Sequence, residues 1–404
     1  MSATPNDYVP EAGVRPQRIE FVRETTRGET PDDPEWSLYS DHVTAWWDWE
    51  PDANKEQLQP AGEVDPDFTE PGSETHEATI SYWLQQWLVD GSGNANDAAA
   101  DAMLVSEDNT VNNTHSIVSR MDVSQGGSDG AGYRVYHVAK GGVPTEVTLP
   151  FEVDDGSPVQ PELSYQFEKF RTYRIDQPAS STTLDVINNG STSVDVTIED
   201  EGAATSETVT VAGSTTETTT ETFGDIDAVE LSTDTDGTVE VTDGSGTSFT
   251  TIQGSDVYTT TGDLGVPALG SGTHADALGS EYVIFNNDTY EYQSGEIAAE
   301  IISGELTVST EVEDGPVAGT ARRNIRVTGR RAEWSATVAG EATSVDQVTD
   351  YLTGQSFDIE WIADEGTVTG PDAEHFSPGG SDFEAGSGKN ERDLSFRSSG
   401  VNIT

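Results

Sequence analysis

"ATISYWLQQWLV", residues 78–89, and "SFDIEWIA", residues 356–363, decide the fold. In both, apolar side chains alternate with polar ones, the two-residue period of a strand with one face buried. The question they settle is whether the chain folds at all. Over 404 residues the hydrophobic content is 33% and the formal net charge is −55, with a mean hydropathy of −0.52. Low hydrophobicity with high net charge is the composition of disordered chains. Here 8 Trp, 12 Tyr and 12 Phe sit largely inside alternating segments, so the pattern describes a core and the composition describes a surface.

That surface is extremely acidic: 74 Asp and Glu against 19 Lys and Arg. In dilute buffer such a surface repels itself, whereas in roughly molar salt the Debye length shrinks to about 3 Å and most of the repulsion is screened. The composition fits a protein adapted to concentrated salt, as in a haloarchaeal setting; an ordinary acidic protein with basic partners is the alternative. There is no Cys, which excludes disulfides and thiolate sites. "MSATPNDYVPEAGV" carries no basic-then-apolar leader, and no apolar run approaches the ~20 residues that span a bilayer. A soluble chain with no secretion signal and no membrane partner is expected.

Moving outward, residues 1–72 read as an extended arm rich in Pro, Asp and Glu, with aromatic islands such as "PEWSLYSDHVTAWWDWEP". Trp46, Trp47 and Trp49 there are either local core or an interface anchor, since Trp is enriched in both. Residues 73–178 form a first β unit. It holds "HEATISYWLQQWLVD" as one long strand or a broken pair, a helix over "NANDAAADAMLVS" (94–106) with Asn94 or Asn96 as N-cap, and four strands from "THSIVSRMDV" to "PELSYQFEKFRTYRI". Residues 179–266 change character. Thr and Ser dominate, and short strands recur between turns such as "NNGS" and "DGSG", the pattern of a small immunoglobulin-like β-sandwich. Residues 267–369 repeat the first type, with a helix over "SVDQVTDYLTG" capped by Ser344 and Gln347 and stopped by Gly354. Residues 370–404 read as a Gly/Ser-rich tail ending in the alternation "LSFRSSGVNI".

Motifs for catalysis are missing. The six histidines (His42, His76, His115, His137, His274, His375) show no metal-ligand pairing, and no phosphate loop, dinucleotide fingerprint or nucleophile elbow occurs. "STDTDG" (232–237) matches half a calcium loop without its later acidic ligand. With so many acids, carboxylate pairs at any spacing arise by chance. No enzyme, cofactor or metal site is expected.

One local feature stands out. From Ile175 to Ala321 there is no Lys or Arg, and then "GTARRNIRVTGRR" (319–331) places five arginines in ten positions. Strict strand alternation puts Arg322, Arg326 and Arg330 on one face and Arg323, Ile325 and Val327 on the other. Such a ladder suits nucleic-acid phosphates, carboxylates of a neighbouring subunit, or an intrachain match to the acidic sandwich. No wider basic field flanks it and the net charge opposes a polyanion, so the intersubunit use is favoured.

The runs "VRETTRGETPDDPEWSLYSDHV" (22–43), "SETHEATISYWLQQWLVDGSGNANDAAADAM" (73–103) and "RVYHVAKGGVPTEVTLPFEVDDGSPVQPELSYQF" (134–167) resemble the major tail tube proteins of long-tailed, siphovirus-like viruses, here of a haloarchaeal host. The resemblance covers most of 20–176 and, more loosely, 281–363. It implies a mainly β fold: two tail-tube-type β-sandwich or barrel units with one α-helix each, an inserted immunoglobulin-like sandwich as outer decoration, and long extended arms. The family's sheets join sideways into a ring, and rings stack into a hollow tube. With two tube units per chain, three copies close a pseudo-sixfold ring; a hexamer is the alternative. The implied partners are the chain itself, other tail proteins, and genomic DNA passing through the lumen without specific binding. The implied location is the virion tail, assembled in the host cytoplasm. Other tail, baseplate or decoration components, or a secreted β-sandwich adhesin, are the competing readings.

Overall fold

A computed structural model of the chain describes residues 18–31, 34–46 in part, 57–58, 67–68, 76–104 in part, 113–123, 131–152, 158–200, 205–254, 264–267, 283–300 in part, 301–316, 323–339, 354–382 in part and 391–404. The fold is mainly β and antiparallel. Outside the sandwich its main elements are β1 (Arg18–Arg23), β2 (Val43–Trp46), β3 (His76–Tyr82), α1 (Ala98–Met103), β4 (His115–Val123), β5 (Tyr133–Glu152), β6 (Glu162–Phe167), β7 (Lys169–Asp176), β8 (Glu300–Pro316), β9 (Arg323–Ala339), β10 (Thr367–Ser377) and β11 (Glu391–Ser398).

The chain divides into two compact units. The first comprises Met1–Leu38, Ser116–Lys140 and Lys169–Ala275. Within it, residues 184–266 form two four-stranded antiparallel sheets. Leu184–Asn188 and Val194–Asp200 begin with the buried–half-buried alternation expected of strands facing a partner sheet. Leu184, Val186, Val196, Ile198, Val229, Leu231, Val239 and Val241 are fully buried between them. That core does not stop at the sandwich. It continues through Val22, Trp36, Val118, Tyr136, Val138 and Ile175, contributed by β1, β4, β5, β7 and the segment after β1. The sandwich and these strands therefore share one hydrophobic core, and position 179 is not a boundary of compactness.

The second unit comprises Tyr39–His115, Gly141–Glu168 and Asp276–Thr404. Its sheet runs β2–β3–β6–β5–β8–β9–β11–β10, every neighbour antiparallel. The register lines apolar side chains into rows. Ile80, Leu163, Val147, Val308 and Ala332 oppose one another in succession, as do Leu149, Leu306, Trp334 and Phe396. All nine are at most 4% exposed, and full burial of each larger apolar side chain contributes about 1.5–3 kcal/mol. These rows fix the register, because a one-residue slip would turn each side chain to the opposite face.

Several sequence expectations change here. Strands expected in separate β units (73–178 and 267–369) join through the β5–β8 pairing into one sheet. The expected C-terminal tail contributes β10 and β11, with β11 pairing along β9 from Ala332 to Ala339. "GYRVYHVAKG" and "TEVTLPFEVD" belong to one twenty-residue strand rather than two. Gly141 supplies a positive φ of 68°, and a Cβ at Gly142 would sit 2.5 Å from the Phe167 ring, so the glycine pair bends the strand without ending it. Of "HEATISYWLQQWLVD", only His76–Tyr82 is a strand. The helix expected over 344–354 lies outside the described residues except for Gly354, whose φ of 61° is that of a C-terminal stop.

Candidate assembly surface

The hairpin β8–β9 pairs from Glu300↔Ala339 to Pro316↔Arg323. β5 covers the outer edge of β8 only over Ser303–Ser309, and β11 covers β9 only over Ala332–Ala339. Residues 310–316 and 323–331 therefore form a two-stranded ribbon with both outer edges unpaired among the described residues, ~23 Å long at the usual rise. Unpaired N–H and C=O groups along a strand are a template for another chain.

This ribbon carries the arginines, but the expected one-face ladder does not form. Glu311 opposes Gly329 and Val312 opposes Val327, so Thr328 is an extra residue, and its hydroxyl donates to the Glu311 carbonyl at 3.3 Å. A bulge of this kind reverses the alternation. Before it, Ile325 faces the core; after it, Ala332 and Trp334 do. Arg326 consequently points outward and is exposed, opposite Glu313 across the hairpin. Arg330 falls on the inner side. Its Nη2 donates to the carbonyl of Ala102 at 2.8 Å and to that of Met103, and burial lowers its pKa to about 10. Arg330 thus meets the chain's own helix, a correction to its expected intersubunit role. Arg331 pairs with Glu311 at 3.1 Å across the hairpin, so Arg330 and Arg331 find their partners in α1 and in the facing strand. Arg322 lies outside the described residues. Trp46 ends β2, which pairs with β3; Trp47 and Trp49 lie outside the described residues.

The anchor for Arg330 is built from buried polar groups. α1 is only six residues long, too short to persist alone. Its N-cap is Asp97, not Asn94 or Asn96: Oδ1 accepts from Ala99 N at 2.8 Å and from the Tyr82 hydroxyl at 2.5 Å. Burial raises the Asp97 carboxyl from 3.8 to about 6. One turn on, Asp101 Oδ2 lies 2.6 Å from His115 Nε2, whose Nδ1 lies 3.0 Å from the Tyr165 hydroxyl. The Tyr39 hydroxyl donates to that of Tyr165 at 3.3 Å. Asn113 Nδ2 donates to the Asp101 carbonyl at 2.8 Å. Asn113 and Arg330 together satisfy carbonyls that a helix end leaves open.

Beside the ribbon lies a slot of about 610 Å³ on the outer face of β3, β6 and β5, walled by Val312 and Asp314 of β8. Glu77, Thr79, Thr145, Ser164 and Gln166 line it with oxygen-bearing side chains. Glu77 opposes Gln166 and Thr79 opposes Ser164, with the latter pair of hydroxyls 3.1 Å apart. Gln166 Nε2 donates to Asp314 Oδ2 at 3.5 Å.

A second polar cluster, not anticipated from the sequence, lies in the first compact unit. Asp227 is 2% exposed and its Oδ1 accepts from Tyr136 Oη at 2.7 Å, Arg120 Nη1 at 3.1 Å and Arg134 Nη1 at 3.4 Å. Arg134 also reaches Asp225 at 2.7 Å and Asp122 at 3.3 Å. The sandwich strand bearing Asp227 is thereby tied to β4 and β5. The available signal was an arginine at the centre of the apolar strand "SIVSRMDV" in a chain with so few basic residues.

No family model matches this chain, and no curated protein matches it. Among solved structures, it is similar to a chain described as "Virion of native gene transfer agent (GTA) particle", with 18% identity, 29% of this chain and 95% of that chain covered, and a TM-score of 0.25. A similarity of that size carries no argument about function.

Proposed function

We propose that this chain is a self-assembling structural protein of a virus particle, and specifically a tail tube subunit whose copies join edge to edge into rings that stack around a channel. The observation that carries the reading is the β8–β9 ribbon, whose two edges are open among the described residues while its base is held in the sheet by β5 and β11. A rigidly rooted ribbon with free edges favours strand addition by a like chain, and closure in a ring removes the edges altogether. The acid excess suits a surface in concentrated salt and a lumen that does not hold a polyanion. β5 and β8 already join, within one chain, strands from its two halves, which supports three copies per ring over six.

The test uses the full chain in molar salt. Sedimentation and negative-stain electron microscopy are expected to show rings or tubes with a central bore, and native mass spectrometry of single rings to give three copies. A species that stays monomeric at high concentration and high salt would overturn the proposal.

A further inference from the structure

The turn between the sandwich strands Leu184–Asn188 and Val194–Asp200 begins with "NNGS" (188–191), which holds the single Asn–Gly pair of the chain. Asparagine is among the chemically labile residues, most of all before glycine. The backbone nitrogen of the next residue attacks the side-chain Cγ, and a glycine there puts no side chain in the way. As the new N–Cγ bond closes a succinimide ring, the Cγ–Nδ2 bond breaks, and the backbone N–H proton leaves with the amide nitrogen as ammonia. Water then opens the ring to aspartate or isoaspartate. Packing leaves position 190 no choice of residue. A Cβ there would overlap the Thr235 hydroxyl and stand 2.8 Å from the backbone nitrogen of Gly237. The reactive pair is thus imposed by the way this turn meets the loop 233–237, and Asn189 is exposed.

Both nitrogens of that reaction are nevertheless engaged. The attacking one, Gly190 N–H, donates to Asn188 Oδ1 at 2.9 Å, which keeps its proton on and its lone pair away from Asn189 Cγ. The leaving one, Asn189 Nδ2, donates to Thr238 Oγ1 at 3.1 Å. Asn188 is itself 1% exposed and held at both ends. Its Nδ2 donates to the Thr192 and Val211 carbonyls at 2.7 and 3.2 Å, and its Oδ1 also accepts from the Thr235 hydroxyl at 3.2 Å. The backbone on either side is fixed as well. Asn189 N donates to the Thr238 carbonyl at 2.9 Å, and the Gly190 carbonyl accepts from Ser214 N at 2.7 Å. We propose that Asn189 is a latent self-modification site, closed by Asn188 in the folded chain and converted to aspartate or isoaspartate only when this end of the sandwich opens. Isoaspartate lengthens the backbone by a methylene, so a turn that has opened and reacted does not close as before.

The test incubates the full-length parent in molar salt at mildly alkaline pH, beside the same chain unfolded in urea. Peptide mapping by mass spectrometry reads conversion at Asn189, and chromatography separates the isoaspartate product. Conversion in the folded chain is expected to be slower than in urea by about tenfold or more, because a reaction confined to an open state is scaled by that state's population. Hydrogen exchange of the Gly190 amide is expected to be slow in the folded chain, and urea below the unfolding transition should speed exchange and conversion together. Asn188→Ala removes the acceptor; where circular dichroism shows it folded, its conversion rate should move towards the urea value. Where it does not fold, the Gly190 amide of the parent decides. A parent that converts as fast folded as unfolded, a Gly190 amide that exchanges freely in the folded chain, or a folded Asn188→Ala chain that converts no faster than the parent would overturn the proposal. None of these readings depends on whether copies assemble.

Discussion

The sandwich and the ribbon treat their carboxylates in opposite ways. Across the sandwich there is no Lys or Arg at all, and exposed acids on its strands such as Asp185, Asp195 and Glu207 are met by hydroxyls and turn amides. Thr218 donates to Asp185 at 2.6 Å, Thr210 to Asp195 at 2.6 Å, and Glu207 collects the Thr220 and Glu221 amides at 2.9–3.0 Å. In the ribbon and at Asp227, carboxylates are met by guanidiniums. The difference teaches where a chain poor in basic residues places them. A solvated carboxylate in concentrated salt gains little from a cation, and a Thr hydroxyl serves it. At the buried Asp227 carboxylate and at the docked end of α1, a charged, many-donor guanidinium takes that place.

Breaking the guanidinium side of that comparison should have the largest consequence. Asp227→Ala removes the buried carboxylate shared by Arg120 and Arg134 and is expected to destabilise the first compact unit by about 3–5 kcal/mol, read as a shift of the urea transition in high salt. A loss under 1 kcal/mol would show that the cluster is solvated and the comparison false. Asp97→Asn comes next and sharpens it, since Asp97 is a buried carboxylate capped only by neutral groups. The folded chain holds this proton up to about pH 6, against 3.8 for the ordinary carboxyl. The folded state therefore binds more proton between those values, and the contribution of Asp97 is largest below about pH 4 and declines as pH rises through 6. The stability difference between parent and Asp97→Asn chains should change by about 2–3 kcal/mol between pH 4 and 7; a pH-independent difference would contradict the burial argument.

Arg330→Met keeps the apolar stem and removes the donors to the Ala102 and Met103 carbonyls. A cost of about 1–3 kcal/mol is expected, with faster amide exchange in α1. At the small end, Thr218→Val removes an exposed hydroxyl from Asp185 and should change stability by under about 0.5 kcal/mol. A loss comparable to that of Arg330→Met would mean that hydroxyl partners matter as much as guanidiniums.

What the sequence revealed follows from the same physics. Alternation was enough to find most strands and to separate the Thr-rich sandwich from the aromatic sheet, because burial on one face writes itself locally. The ribbon's arginines were visible as a cluster, but their faces were not. One extra residue, Thr328, reverses the parity, and its only local mark is the following Gly329, where a Cβ would stand 3.1 Å from the Glu311 carboxylate. The pairing of β9 with β11 joins residues about sixty positions apart, and no local pattern specifies it. Asn94 and Asn96 offer the capping chemistry of Asp97 a few residues earlier, and the Tyr82 hydroxyl that selects Asp97 comes from the end of β3, fifteen residues away. Arg120 and Asp227 are 107 residues apart, and only folding brings them into one cluster.

The most direct measurement of whether like copies close the open edges is backbone amide exchange in the ribbon, compared between dispersed and assembled chain in molar salt. If copies pair there, amides within 310–316 and 323–331 that exchange freely in the dispersed chain should become protected on assembly, while those of 303–309, already paired on both sides, should not change. Assembly that leaves the ribbon amides as exposed as before would contradict it.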